Sequence, residues 1–177
     1  EKLYERLKLF RTHGITREEK YLSRNDGPWY YEQIDLGYNY RITDIQCALG
    51  ISQMDKLDDF VKKRRMLVER YNNVFEEVSE IVVPKQVEGC NNSYHLYVIQ
   101  VENRLEVFNK LRTAGIGVNV HYIPVYKHPY YQKNGYADVK CPNAEEYYEH
   151  CISLPLYPNL TVKEQDYVIE KVIESVK

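Results

Sequence analysis

The chain has 177 residues, a formal net charge of −2 and 44% hydrophobic residues. This composition is sufficient for a hydrophobic core, and the balanced charge argues against a nucleic-acid or acidic-membrane partner, which needs a clustered basic excess. No apolar run is long enough to span a bilayer, and we expect no signal peptide.

The first predicted element is a helix over residues 1–12, where apolar side chains recur at helical spacing. Gly14 is a typical helix stop and is expected to end it. Residues 15–35 are polar and aromatic. They predict an irregular excursion, with a short strand near residues 31–36.

The second predicted helix begins at Thr43, which forms a capping-box pattern with Gln46 three residues later. Apolar residues at helical spacing continue to about Val78. No glycine or proline follows Gly50 within this stretch, so the pattern predicts one long helix. A helix of ~30 residues is ~45 Å long, more than one small domain covers. We therefore expect it to bridge two lobes or to join a partner.

A strand is predicted at residues 93–101, where β-forming side chains alternate. A helix follows at 103–114, with Leu105 among its inward-facing residues, and a second strand at 116–122. Strand, helix and strand at this spacing predict a βαβ unit.

The last third begins with a tyrosine-rich loop at 123–139, followed by a short helix at 143–150 and a short apolar segment at 152–156. A second capping-box pattern, Thr161 with Glu164, predicts a terminal helix to about residue 176. The elements together predict an α+β fold, with a small antiparallel or mixed sheet and helices on one face.

Four cysteines, Cys47, Cys90, Cys141 and Cys151, occur without a C-x-x-C pair. They predict reduced cysteines in a cytoplasmic protein. The spacing of Cys141, His150 and Cys151 matches no common zinc pattern, so no metal site is predicted.

The residues directly before the second helix are chemically unusual. Tyr38, Asn39, Tyr40 and Arg41 supply hydroxyl, amide and guanidinium donors beside flat aromatic faces. This set suits a phosphate-bearing ligand, since arginine matches phosphate geometry and helix N-termini attract anions. A tyrosine-rich turn with an exposed arginine is the alternative.

A second group follows the predicted strand at 116–122. His121 and Tyr122 precede Pro124, and Tyr126 lies nearby, so a histidine at a strand end is placed to face a cleft. A packed histidine with satisfied ring nitrogens is the alternative.

Phosphate-loop, dinucleotide, serine-hydrolase and zinc-protease motifs are all missing from the sequence. The sequence thus carries binding chemistry without an obvious nucleophile.

Three stretches, "LGYNYRITDIQCALG", "GIGVNVHYIPVY" and "ISLPLYPNLT", resemble the C-terminal portion of a DegT/DnrJ-type aminotransferase. Members of this family use pyridoxal phosphate (PLP) to aminate keto sugars carried on nucleotides. Within the family, the sequences of these stretches are most similar to those of the pseudaminic-acid branch. That branch implies amination of the 4-keto group of a UDP-linked 6-deoxy N-acetyl hexose, with glutamate as amino donor.

The resemblance implies the C-terminal small domain of a fold-type I PLP-dependent transferase together with the end of the large domain. Residues 1–42 would end the large domain, 43–78 would form the connecting helix, and 79–177 would form the small domain. It also implies a cytoplasmic homodimer with a site shared across the interface.

The resemblance further implies site residues. Asn39 corresponds to the asparagine that reaches the PLP phosphate of the partner subunit. Contacts to the nucleotide-sugar substrate are implied for five residues: Tyr38, Arg41, His121, Tyr122 and Tyr126.

The family's Schiff-base lysine lies upstream of the segment that matches Glu1. We therefore expect no catalytic residue in this chain and no activity from the chain alone. Two alternatives stay open. One is a non-catalytic nucleotide-sugar-binding or regulatory α+β module, and the other is a relative in which histidine replaces that lysine and the enzyme is a dehydratase.

Overall fold

The computed structural model describes all residues from 1 to 177, and the chain divides into two compact units, Glu1–Asp55 and Lys56–Lys177. Each unit has its own small antiparallel sheet. None of the helices combines the length and the apolar character that crossing a membrane requires.

The first unit is largely exposed. Its elements are α1 (Lys2–Phe10), β1 (Ile15–Thr16), a 3₁₀ turn (Glu19–Tyr21), β2 (Glu32–Gln33) and α2 (Asp44–Met54). Strands β1 and β2 pair antiparallel. The predicted first helix and the short strand near residues 31–36 are confirmed. Only Gly14 and Thr16 are buried in this unit.

Two glycines allow the backbone of this unit to cross itself. Gly14 has φ +72°, and a Cβ there would lie 1.8 Å from the carbonyl oxygen of Asp35. A Cβ on Gly37 would lie 2.2 Å from the Gly14 nitrogen. No other residue fits either position, because the side chain would occupy the neighbouring backbone. Helix α1 ends at Phe10 with Arg11 as its C-cap, earlier than the stop predicted at Gly14. Gly14 lies in the turn that follows and makes room for the returning chain.

The second unit contains the main core. Its elements are α3 (Leu57–Phe75), β3 (Tyr97–Gln100), α4 (Arg104–Thr113), a 3₁₀ turn (Val125–Lys127), the one-turn helix α5 (Pro129–Tyr131), a π-helical turn (Gln132–Tyr136), α6 (Pro142–His150), β4 (Cys151–Leu154) and α7 (Val162–Val176). The predicted α+β class is confirmed.

Strands β3 and β4 form the sheet at the centre of this unit, with Tyr97 opposite Leu154. The sheet is widened on each side by a single antiparallel bridge. Val82 bridges the outer edge of β3, and Asn119 bridges Ser153 at the outer edge of β4. Residue 153 thus lies between two neighbouring segments in the middle of the sheet.

The core of the second unit is aromatic on the side of α3. Tyr71 stacks on Tyr97 of β3 with ring centroids 4.8 Å apart and on Phe75 at 5.5 Å. All three side chains are completely buried. The Tyr71 hydroxyl donates to the carbonyl oxygen of Pro155 at 3.0 Å, which satisfies its polar end. The rest of the core comes mainly from β3, α4, β4 and α7: Ile99, Val107, Leu111, Ile152, Leu154, Val168, Ile169 and Val172.

The predicted single helix over 43–78 is wrong, since the chain forms two helices there, α2 and α3. Asp55 and Lys56 separate them in a short turn, in which Asp55 is the C-cap of α2 and Lys56 is the N-cap of α3. No glycine or proline marks this break. The local signal is the acidic pair Asp58 and Asp59, which favours the start of a new helix through the helix dipole.

The second strand of the predicted βαβ unit is reduced to the single bridge at Asn119. Its pairing with β4 cannot extend in either direction. Pro155 has no N–H to donate, and the N–H of Cys151 already donates to the carbonyl oxygen of Tyr147 at the end of α6. The segment keeps the alternating burial of a strand, with Ile116 and Val118 buried, but it lacks the continuous ladder of backbone hydrogen bonds that defines one.

Both predicted capping boxes are confirmed. The side chains of Thr43 and Thr161 accept from the N–H groups of Gln46 and Glu164, and the reciprocal bonds are present. The inward position predicted for Leu105 is wrong, because this side chain is 73% exposed.

Candidate functional site

The first candidate element is the extended segment 38–41, directly before α2. Its backbone is fastened to the end of α1. The Tyr38 N–H donates to the Phe10 carbonyl at 2.6 Å, and the Tyr40 N–H donates to the Arg11 carbonyl at 3.0 Å. The segment therefore has a defined position within its unit although its side chains are exposed.

The side chains of this segment alternate between two sides. Tyr38 and Tyr40 stack on each other, with ring centroids 5.3 Å apart and planes inclined by 26°. Alternation along extended backbone directs Asn39 and Arg41 away from these rings. Both are exposed, and neither side chain makes a hydrogen bond or ion pair within the chain. An amide and a guanidinium are thus free to bind an anion.

The N-terminus of α2 is already occupied by its own side chains. Thr43 Oγ1 accepts from the Gln46 N–H at 3.3 Å, and Gln46 Oε1 accepts from the Thr43 N–H at 3.0 Å. Asp44 adds a negative charge in the first turn. A phosphate at this place would therefore meet the side chains of Asn39 and Arg41 rather than the helix end.

The second candidate element follows the Asn119 bridge. Nδ1 of His121 lies 2.7 Å from Oγ of Ser153, and Nε2 lies 3.3 Å from Nδ2 of Asn119. The imidazole ring meets the Tyr122 ring edge to face, with centroids 4.5 Å apart. Tyr122 itself is 70% exposed. His121 is thus held on both nitrogens, while Tyr122 faces outward.

Tyr126 belongs to a separate hydrogen-bonded group. Its hydroxyl donates to Glu145 Oε1 at 2.8 Å and accepts from the Cys141 N–H at 3.2 Å. Lys127 pairs with the other oxygen of Glu145 at 2.9 Å. Partial desolvation and this hydrogen bond raise the pKa of Tyr126 to about 12. The hydrogen bonds from Lys127 and Tyr126 lower the pKa of Glu145.

The structure places the predicted site residues in two sets, one in each unit. The first unit holds Tyr38, Asn39 and Arg41, and the second unit holds His121, Tyr122 and Tyr126. The hydroxyl of Tyr126 is engaged with α6, and no hydrogen bond joins it to His121. The exposed members of the two sets are Tyr38, Asn39, Arg41 and Tyr122.

Sequence reasoning missed three residues that support these sets: Asn119, Ser153 and Glu145. The sequence could have indicated Ser153, because it is the one polar residue in the buried strand Cys151–Leu154. A buried hydroxyl in such a strand needs a partner. Asn119 carried a weaker signal, since it lies two residues before a histidine. Nothing local distinguished Glu145.

The four cysteines are free thiols. Cys141, His150 and Cys151 do not form a metal-binding cluster, and no group of three or more His, Cys, Asp or Glu side chains in the structure could hold a metal ion. Burial raises the pKa of the Cys151 thiol, which makes it a poor nucleophile.

The donors of segment 38–41 fit the phosphate end of a cofactor such as PLP. A neutral amide and a guanidinium, both unpaired, are the groups that bind phosphate oxygens well. The chain offers them on one open side only, so the segment would supply part of a phosphate site rather than enclose one.

A family model matches almost the whole chain. The model of the DegT/DnrJ/EryC1/StrS aminotransferase family matches residues 1–173. The chain is 37% identical over 185 residues to the spore coat polysaccharide biosynthesis protein SpsC of Bacillus subtilis, covering 100% of this chain and 48% of SpsC.

A second relative, the UDP-4-amino-4,6-dideoxy-N-acetyl-beta-L-altrosamine transaminase of Campylobacter jejuni, is 34% identical over 185 residues. The match covers 100% of this chain and 47% of the relative. The chain therefore spans about half the length of the curated relatives that it matches.

Among solved structures, the PMP form of the putative sugar aminotransferase Spr1654 from Streptococcus pneumoniae superposes with a TM-score of 0.85. It is 31% identical, and the match covers 99% of this chain and 46% of that chain. The small sheets and packed helices described above are thus an arrangement that sugar aminotransferases use.

Proposed function

Since the chain belongs to the DegT/DnrJ/EryC1/StrS aminotransferase family, we propose that the whole protein is a PLP-dependent aminotransferase acting on nucleotide sugars. Its substrate would be a UDP-linked 6-deoxy N-acetyl hexose with a 4-keto group, and its amino donor would be glutamate. The observation that carries the proposal is the family match over residues 1–173. The transaminase activity named for the Campylobacter relative supports the sugar class.

Pyridoxal phosphate, when bound, supplies the electron sink and the carrier for the amino group. Residues of this chain would hold its phosphate rather than its reactive carbon. The Asn39 amide would donate to a phosphate oxygen, and Arg41 would bind a substrate phosphate. Their lack of partners within the chain supports both roles. Tyr38, stacked on Tyr40 on the other side of the segment, would contact the nucleotide-sugar substrate through its exposed ring.

The second set would contact the sugar nucleotide. Tyr122 combines an exposed ring with a hydroxyl, a combination that suits a sugar face. His121 would support that contact. Tyr126 would shape the same loop, because its hydroxyl is engaged with Glu145. These side chains would orient the substrate and exclude water from the reacting carbonyl.

Proton transfer at the reacting carbon requires a base, and we assign that role to no residue of this chain. We propose that a lysine outside residues 1–177 supplies it and that the chain alone is inactive. Residues 1–42 would then end the large domain and 79–177 would form the small domain. We further propose a cytoplasmic homodimer in which Asn39 serves the partner's site.

The test has two arms. In the first, the whole protein is incubated with glutamate and the UDP-linked 4-keto sugar, and mass spectrometry follows formation of the amino sugar. In the second, residues 1–177 are mixed with PLP, reduced with borohydride and searched for a lysine adduct.

We expect an amino sugar in the first arm and no stoichiometric adduct in the second. A single adduct on one lysine of this chain would contradict the assignment of the base to another segment. Nucleotide-sugar binding without amination by the whole protein would contradict the enzymatic proposal and favour a non-catalytic binding module.

A further inference from the structure

The hydrogen bonds around His121 determine which of its nitrogens carries a proton. Asn119 Oδ1 accepts from the Val120 N–H at 2.8 Å. Because a backbone N–H can only donate, this bond fixes the orientation of the Asn119 amide. The amide NH₂ group must then be the one that lies 3.3 Å from Nε2 of His121.

An NH₂ group is a donor, so Nε2 of His121 has to accept and carries no proton. The ring proton is then on Nδ1, which donates to Oγ of Ser153 at 2.7 Å. A proton on Nε2 would place two hydrogen-bond donors against each other, the Nε2–H and the NH₂ group of Asn119. The surroundings therefore favour a neutral imidazole protonated at Nδ1.

Ser153 is a firm anchor for this ring. It is 4% exposed, and its backbone bonds to Asn119 in both directions, at 2.8 and 3.3 Å. The imidazole is therefore tied to the middle of the sheet. Tyr122 packs against the ring edge to face, so the direction of the exposed phenol depends on the imidazole.

We propose that Asn119 and Ser153 are positioning residues that hold His121 as a neutral imidazole protonated at Nδ1, and that His121 in turn orients Tyr122 toward an uncharged sugar ring. This inference rests on the proposed function for its ligand. Both nitrogens of His121 are occupied within the chain, so the residue offers neither a positive charge nor a free N–H to a diphosphate. The exposed group at this place is the phenol of Tyr122, which suits hydroxyl-bearing, uncharged rings.

The test begins with ¹⁵N NMR of the histidine rings in the whole protein at neutral pH, assigned through His121→Gln. We expect a protonated Nδ1 and an unprotonated Nε2. Asn119→Asp places a carboxylate beside Nε2 while an oxygen still accepts from the Val120 N–H. Because a carboxylate only accepts, Nε2 should gain a proton. Asn109→Asp makes the same charge change on the exposed side of α4 and should leave the ring spectrum unchanged.

Kinetics provide the second readout. In Asn119→Ala and Ser153→Ala, which each remove one hydrogen-bond partner of the imidazole, we expect KM for the nucleotide sugar to rise about five- to tenfold, the loss of roughly one hydrogen bond. KM for glutamate and the kcat value should stay within about twofold, and Asn109→Asp should match the unchanged protein.

The outcomes separate this inference from the proposed function. A protonated Nε2 in the unchanged protein, or an unaltered His121 spectrum in Asn119→Asp, overturns the inference whatever the activity. The expected spectra together with no amination overturn the proposed function and leave the state of His121 established. The expected spectra with an unchanged sugar KM in both active variants overturn the positioning role.

Discussion

The hydroxyl of Tyr126 donates to Oε1 of Glu145 at 2.8 Å and joins the tyrosine-rich loop to α6. The N–H of Cys141 donates back to the same hydroxyl at 3.2 Å. Lys127 adds a salt bridge to Glu145 from the same loop. Two neighbouring loop residues thus converge on one carboxylate, which fixes where the loop lies against its unit.

Replacing Tyr126 with phenylalanine should loosen this loop. The change removes the donor to Glu145 and the acceptor for Cys141 while keeping the ring. We expect several-fold faster protease cleavage within residues 123–139, because local opening becomes easier. Tyr130→Phe is the matched control, since the Tyr130 hydroxyl makes no hydrogen bond and the side chain is 71% exposed. Equal cleavage rates in the two variants would contradict the anchoring role of Tyr126.

The chain should lose stability in alkali through its buried tyrosines. Burial raises the pKa of Tyr71 and Tyr97 well above the usual value. In the unfolded chain these phenols ionise near pH ~10, so above that pH the folded state binds more protons than the unfolded state. Their contribution is therefore fully present below about pH 10 and is lost as pH rises through the folded-state pKa.

Urea titrations at pH values from neutral to strongly alkaline check this dependence. Tyr71→Phe should cost about 1 kcal/mol at neutral pH, because the Pro155 carbonyl loses its donor. The same variant should show a shallower loss of stability above pH ~10. Tyr130→Phe should keep the slope of the unchanged chain, and a shallower slope there as well would refute the assignment to buried tyrosines.

Alanine at two glycines should change stability in opposite directions. Gly14→Ala combines φ +72° with a Cβ 1.8 Å from the Asp35 oxygen, so we expect a loss of more than about 2 kcal/mol. Gly50 lies in α2, and a Cβ added there would have no atom within 4 Å. Gly50→Ala should therefore gain up to about 1 kcal/mol from helix propensity. Thermal unfolding of both variants, followed by circular dichroism, checks the sign of each change.

Asn39→Asp in the whole protein should weaken PLP binding by roughly ten- to hundredfold, since a carboxylate replaces a donor to phosphate. Asn25→Asp is the charge-matched control, because Asn25 only accepts from the Gly27 N–H and a carboxylate accepts equally well. The dissociation constant comes from titrating the apoprotein with PLP. An unchanged constant in Asn39→Asp would exclude Asn39 from the phosphate site.

The fold could be predicted where the signal is local. Both capping boxes depend on residues only three positions apart in the sequence. The break at Asp55–Lys56 could not be read, because the helical pattern continues through it without glycine or proline. The lost strand at 116–122 depends on Pro155 and on Cys151, which are distant from it in the sequence.

The candidate site divides in the same way. Segment 38–41 was recognisable because its unusual donors are adjacent in sequence. The setting of His121 was not, since Ser153 reaches it from across the sheet. Tyr126 is expected to contact a substrate. The bond from its hydroxyl to Glu145, nineteen residues later, is not indicated by sequence spacing alone.

The close approach of Gly14 and Gly37 makes residues 15–36 a loop whose two ends lie side by side. A loop held at its ends in this way can be lengthened or shortened without displacing the next segment of the chain, because the entropy of closing a loop changes slowly with its length. The donors at Asn39 and Arg41 would keep their position when residues 15–36 are replaced by a different loop. Residues 15–36 are therefore the natural place in this unit for grafting a new recognition loop.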